Sequence, residues 1–236
     1  MGRIVGIAGN TNRITLDGLR NYAVRLTGKQ HPNILFLGTA LHDPQRSMEG
    51  MARYTLSVGG KLRFLMLTKL TYTEQELDEA IAWADLIYVG GGDTVFMMGL
   101  WKELGLDRKF RKVFEEDTAV LSGISAGAIC WFDCGHSDSE SFHAEGSDWH
   151  FIFAEDMIGL LPGVFGPHYN EPGRTTLDTM LAQKPGMTAY AMENDTAYVV
   201  DGEKTCYIST REDAKAWKMV FTDGKLSKEP LPLERI

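Results

Sequence analysis

Ala119-Val120-Leu121-Ser122-Gly123-Ile124-Ser125-Ala126-Gly127-Ala128-Ile129-Cys130-Trp131 is the stretch from which the fold can be read. Its first half is a short apolar run, the pattern of a strand buried in a sheet. Its second half, from Ala126, reads as the start of a helix. Between them Gly123-Ile124-Ser125-Ala126-Gly127 matches G-x-S-x-G, in which a sharp strand-to-helix turn lifts a serine hydroxyl clear of the sheet. Small neighbours let the backbone bend that tightly. The same turn sets the Ala126 N–H at a helix N-terminus, where backbone dipoles favour developing negative charge. An ordinary Gly-rich β–α turn carries the same letters, so the surroundings must decide.

Outward from this turn the chain alternates short apolar runs with helical patterns. Residues 4–8 read as a first strand, and residues 16–26 as an amphipathic helix with Leu16, Leu19, Ala23 and Leu26 on one face. Residues 34–37 form a second strand, residues 44–58 a helix, and residues 62–67 a third strand. Thr73-Glu74-Gln75-Glu76 resembles a capping box that opens a helix ending near Trp83. Residues 86–89 make a fourth strand, followed by Gly90-Gly91-Gly92 and another helix. Strands separated by helices predict an α/β fold with a doubly wound, mostly parallel sheet. Ligands collect beyond the carboxyl ends of such strands, where Gly90–Gly92 and Ser125 both fall. Beyond the turn, residues 135–149 are rich in Ser, Asp, Glu, His and Gly and read as a long polar loop. Residues 187–192, 197–200, 206–209 and 217–221 suggest short C-terminal antiparallel strands, with turn signals at Asp201-Gly202 and Asp223-Gly224. No repeat or linker interrupts the pattern, so residues 1–236 are expected to form one domain.

Composition narrows the function. A hydrophobic share of 44% and a charged share of 24% in 236 residues fit a globular chain with a substantial core. The formal charge of −8 opposes binding to nucleic acid and obliges an acidic substrate to find a locally cationic pocket. No apolar run approaches the roughly 18–20 residues of a membrane span, so no membrane association is expected. The N-terminal residues run straight into a strand pattern without a signal peptide, and three cysteines lack framework spacing. A reduced cytoplasm is the expected home. Gly90-Gly91-Gly92 lacks both G-x-G-x-x-G and a P-loop ending, and Cys130-x3-Cys134 lacks a second ligand pair. No cofactor and no metal are expected.

A serine hydroxyl needs a base within hydrogen-bond reach. His31 precedes Pro32 before a strand, on the far side of the sheet, and nothing local supports His42. His136, His143 and His150 lie in or near the polar loop, where solvation is the default. His168 ends the apolar run of residues 159–169 at a rigid Pro167-His168 step, which suits a positioned base.

Gly90-Gly91-Gly92-Asp93-Thr94, then Gly123-Ile124-Ser125-Ala126-Gly127-Ala128, then Gly166-Pro167-His168-Tyr169 follow the order and approximate spacing of the peptidase E family. The chain resembles that family over about residues 1–200. The family comprises aspartyl dipeptidases and related cyanophycinases, serine hydrolases with a fold like class I glutamine amidotransferases. The resemblance implies Ser125 as nucleophile, His168 as general base, and Gly92 with Ala126 as oxyanion donors. The family's usual Asn is Asp93 here, which would bring negative charge near the oxyanion. For the third triad member Glu193 is expected, because it ends an apolar strand and matches the family's late-strand glutamate in order; Asp195 and Glu171 are the alternatives. The implied partner is a small peptide, a dipeptide with N-terminal aspartate above all. Its carboxylate asks for arginine, Arg174 first and Arg13 second, and Asp138 in the polar loop would hold its ammonium group. Two rival readings are a cyanophycinase-like isopeptidase cutting β-Asp-Arg, which needs an acidic subsite, and a non-catalytic small-molecule-binding protein with an old pocket.

Overall fold

In the computed structural model, which describes residues 2–143 and 149–236, the apolar runs become parallel strands separated by helices. β1 (Arg3–Ile7), α1 (Arg13–Leu26), β2 (Asn33–Leu37), α2 (Gln45–Ser57), β3 (Lys61–Leu65), α3 (Glu74–Trp83) and β4 (Leu86–Val89) follow in turn. α4 (Thr94–Glu103) and α5 (Leu106–Glu116) lead to β5 (Val120–Ile124) and the short α6 (Ala126–Ile129). α3 begins as its sequence asks: the Glu76 N–H donates to Thr73 Oγ1, and the Thr73 N–H donates to Glu76 Oε2. Then come β6 (Phe132–Ser137), β7 (Ile152–Ala154), β8 (Leu161–Gly166), α7 (Leu177–Met180) and β9 (Thr188–Met192). β10 (Thr196–Asp201), β11 (Lys204–Ser209), β12 (Ala216–Thr222), β13 (Lys225–Pro230) and β14 (Leu233–Arg235) complete the chain.

The strands form two sheets. The eight-stranded one runs β14-β11-β10-β1-β5-β4-β2-β3, parallel from β1 to β3, with β10 antiparallel to β1. The six-stranded one runs β13-β12-β9-β8-β6-β7. Residues 193–195 carry the chain from β9 in the second sheet to β10 in the first.

Successive residues of a strand face opposite ways, so a sheet covered on both sides needs apolar residues at every position. Ile4, Leu35, Ile87 and Leu121 accordingly join a buried cluster with α3 to α6, while Val5, Phe36, Tyr88 and Val120 join another with α1 and α2. Trp101, Trp131 and Phe110 pack together in the first, Phe110 edge-on to both indoles at 5.0 and 6.0 Å. Fully burying a side chain such as Phe110 contributes roughly 1.5–3 kcal/mol. Among the described residues, no helix is long and apolar enough to cross a membrane.

The expected polar loop is only in part a loop. Gly135, His136 and Ser137 complete β6, inside the second sheet, and all three are buried. Their polarity serves internal bonds: Ser137 Oγ donates to Thr94 Oγ1 at 3.1 Å, and His136 Nε2 lies 3.1 Å from Thr176 Oγ1. Gly135 lacks a side chain because a Cβ there would meet Ile129 Cγ2 at 2.2 Å. Residues 144–148 of that stretch lie outside the described residues.

Candidate active site

Ser125 follows β5 with φ 55° and ψ −116°, a conformation that side-chain-bearing residues avoid. Its N–H donates to the Ile7 carbonyl at 3.0 Å, and its carbonyl accepts from Ala128 and Ile129 at 2.8 and 2.9 Å. The turn closes because positions 123 and 127 carry no side chain. A Cβ on Gly123 would lie 2.1 Å from the Gly127 oxygen, and one on Gly127 would lie 2.3 Å from the Val89 oxygen.

Gly91 approaches this serine closely: a Cβ there would be 3.1 Å from Ser125 Cβ and 3.7 Å from Oγ. The Gly90 N–H donates to the Leu37 carbonyl and the Asp93 N–H to the Ala40 carbonyl, at 2.9 and 2.8 Å. The two N–H groups between them, of Gly91 and Gly92, have no acceptor among the described residues. Nor do those of Ala126 and Gly127, at the start of α6. Gly92 and Ala126, the donors expected from sequence, thus both carry an N–H without an acceptor among the described residues, and Gly91 and Gly127 add two more. The Asp93 carboxylate is occupied elsewhere. Its Oδ1 caps α4 by accepting from the Phe96 N–H at 3.1 Å, and its Oδ2 lies 2.7 Å from His143 Nε2.

His168 arrives from the second sheet, just past β8, also at positive φ (56°). The next residue anchors it: the Tyr169 N–H donates to the Met192 carbonyl at 3.0 Å, and the buried Tyr169 ring packs on Trp217 at 5.1 Å. The imidazole lies over Gly9, where a Cβ would stand 2.4 Å from His168 Nδ1 and 1.9 Å from Asn194 Oδ1. Gly9 lies just past β1, the strand paired with β5 so that Ile7 faces Ile124. Ser125 and the Gly9 contact of His168 thus lie beyond the carboxyl ends of two paired strands, β5 and β1. No hydrogen bond joins Ser125 Oγ to His168 among the described residues; such bonds commonly tighten only when substrate is bound.

His168 Nδ1 lies 2.7 Å from Asn194 Oδ1 and 3.2 Å from Glu171 Oε1. Both are acceptors, so Nδ1 carries the hydrogen and Nε2 keeps its lone pair for a proton. Asn194 Nδ2 in turn donates to Glu171 Oε1 at 2.8 Å. Pairing with His168, and secondarily the Asn194 amide, holds the Glu171 carboxyl at about 2, well below its ordinary range.

Of the three acids expected as candidates for the third member, Glu171 is the one in contact with the imidazole. Glu193 Oε2 accepts from Arg211 Nη2 at 3.2 Å and from the Lys215 N–H at 3.0 Å. Its own N–H bonds the Lys215 carbonyl beside β12, which turns the residue toward that strand and leaves Asn194 facing the imidazole. Asp195, fully buried, accepts from the Thr11 N–H and Oγ1 at 2.8 and 2.7 Å. Arg174 and Asp138, expected to meet substrate, meet each other: Nη2 donates to Oδ2 at 2.8 Å, both side chains are buried, and the guanidinium lies over Phe151. Arg13 is mostly exposed and pairs with Asp17 at 3.3 Å. Sequence reasoning missed Asn194, which carried no local signal, and Gly9, whose glycine at a strand end was a mark of close backbone approach.

The model for peptidase family S51 matches residues 4–208. Over 239 aligned positions the chain is 28% identical to the uncharacterized peptidase YgaJ of Bacillus subtilis (strain 168), with 99% of both chains covered. A candidate peptidase E of Listeria monocytogenes EGD-e shares the fold with a TM-score of 0.63 at 18% identity, over 88% of this chain and 98% of that one. A peptidase from an acI-B1 Actinobacterium does so with a TM-score of 0.64 at 16% identity, over 99% of this chain and 95% of that one.

Proposed function

Because the chain belongs to peptidase family S51, we propose that it is a serine peptidase acting through an acyl-enzyme on Ser125 and cutting short peptides, chiefly dipeptides with N-terminal aspartate. The observation that carries this reading is the Ser125 backbone, held at φ 55° beside N–H groups that have no acceptor among the described residues. Backbone strain of that kind gathers at functional sites, and N–H groups so placed suit an oxyanion.

In the proposed reaction His168 Nε2 takes the hydroxyl proton as Ser125 Oγ attacks the amide carbon. The Ala126 and Gly92 amides donate to the tetrahedral oxyanion, with Gly91 close by. Collapse breaks the C–N bond, and the imidazolium gives its proton to the leaving amine. Water, deprotonated by the same imidazole, then releases the acid and restores Ser125. Glu171, with the Asn194 carbonyl, orients the ring and stabilises its charged form. Losing one oxyanion donor typically lowers turnover on the order of 10²–10³.

A panel of Asp-Leu, Glu-Leu, Ala-Leu and β-Asp-Arg, compared between the native chain and Ser125→Ala, tests the reading. Aspartate release from Asp-Leu, abolished in the variant, is expected. Undiminished turnover in Ser125→Ala overturns the mechanism, and indifference to the first residue overturns the specificity.

A further inference from the structure

Beside the serine turn lies a cavity of 260 Å³, with Gly91 and Ile124 in its wall. Tyr88 lines it as well, together with three arginines: Arg13 and Arg20 of α1, and Arg53 of α2. A seven-residue spacing places Arg13 and Arg20 on one face of their helix. Three guanidinium groups around one small cavity are unexpected in a chain of formal charge −8. Asp17 offsets one of them, lying 3.3 Å from Arg13 Nε and 3.2 Å from Arg20 Nη1. Arg53 has no ion pair among the described residues.

Arg20 is the fixed member of the three. Its side chain is 14% exposed, and its guanidinium carbon sits 4.9 Å from the Tyr88 ring centre and 5.2 Å from that of Tyr54. A guanidinium held between two rings and a carboxylate has little orientational freedom left to lose on binding. Among the described residues its buried Nε–H has no acceptor, and the hydroxyl of Tyr88, a residue only 1% exposed, has no geometric hydrogen-bond partner, although the two side chains lie against each other. Buried polar groups without partners are rare and mark places where a ligand or water completes the bonding.

We propose that Arg13, Arg20 and Arg53 form an anion subsite beside Ser125 that receives a carboxylate of the peptide substrate. The proposal rests on Ser125 being the nucleophile. The planar fork of arginine matches a carboxylate, and the cavity has room for one. It supplies the cationic pocket that an acidic substrate requires, whereas Arg174 is engaged with Asp138. The same charge would repel the arginine of a β-Asp-Arg substrate. The carboxylate comes either from an acidic first side chain or from the peptide's C-terminus.

Calorimetric titration of Ser125→Ala protein with Asp-Leu, Asp-Leu-amide and Ala-Leu tests the subsite without turnover. Arg20→Lys with Arg53→Gln is expected to weaken Asp-Leu binding about tenfold or more. Arg53→Gln alone, at an exposed helix position, keeps the test intact should the Arg20 change disturb folding. Weakening that persists with Asp-Leu-amide assigns the side-chain carboxylate, and weakening shared by Ala-Leu assigns the C-terminal one. Unchanged affinity for every peptide in folded variants overturns the subsite alone. Turnover surviving in Ser125→Ala overturns instead the mechanism on which it rests.

Discussion

The turn at Ser125 and the turn at His168 both carry a residue at positive φ, 55° and 56°, yet they are held in opposite ways. The serine turn is held by what is missing. Gly123 and Gly127 remove the atoms that would collide, and the hydrogen bonds of Ser125 run to its own helix and to the adjoining strand. The histidine turn is held by what has been brought in: Tyr169 against Trp217, the Met192 carbonyl, and Asn194 26 positions away. A device made of omissions fits into five consecutive letters. One made of imported contacts leaves no contiguous trace.

The largest expected effect tests the local half. Ser125→Ala should lower kcat on the order of 10⁶ while the melting temperature holds, as measured by steady-state kinetics and calorimetry. Activity within a hundredfold of native would break the comparison at its root. Next comes the imported half. Glu171→Gln should lower kcat on the order of 10⁴, as losing the orienting acid does in other serine hydrolases, whereas Glu193→Gln should leave it within about tenfold. The reverse ranking would mean that the late-strand position was readable after all.

Smaller effects separate rigid from yielding surroundings. Gly123→Ala drives a methyl group against backbone at 2.1 Å and should cost about 3 kcal/mol, the upper end for overpacking, read as a lower urea midpoint. Gly9→Ala meets side chains instead, which can move, so it should spare stability and lower turnover about 10²-fold through a displaced imidazole. A pH effect in the sheet that bears His168 leaves native turnover aside and is read in stability alone. Burial, and then the Arg174 charge, hold His136 at about 3, against 6.5 in an unfolded chain. The unfolded state therefore binds its proton first. Stability from the neutral ring is complete above pH 6.5 and declines as pH falls toward 3. Urea titrations between pH 7 and 4 should show that slope, flattened in His136→Asn.

The central parallel strands β1, β2, β4 and β5 were legible because both their faces are buried and they are largely apolar runs; Leu86–Val89 was expected and found residue for residue. β6 was not, since its polar residues are paired internally, as Ser137 is with Thr94, and polarity alone reads as solvent exposure. β13, mostly exposed, offered no apolar alternation to detect. Within the site, Ser125 and the Ala126 N–H follow from one local bend, and the Gly92 N–H from the glycine run after β4. That Glu193 faces away from the imidazole depends on how the chain rotates on leaving β9, where the Glu193 N–H bonds the Lys215 carbonyl 22 positions away.

Residues 193–195 form the crossing between the two sheets, and two of them also hold the site: Asn194 touches the imidazole, and the Asp195 N–H bonds the Gly9 carbonyl. That short tether works as a strain gauge. Any slippage of one layer against the other pulls on the residues that aim the histidine, so loosening far from the serine should surface as lost turnover before it surfaces as unfolding.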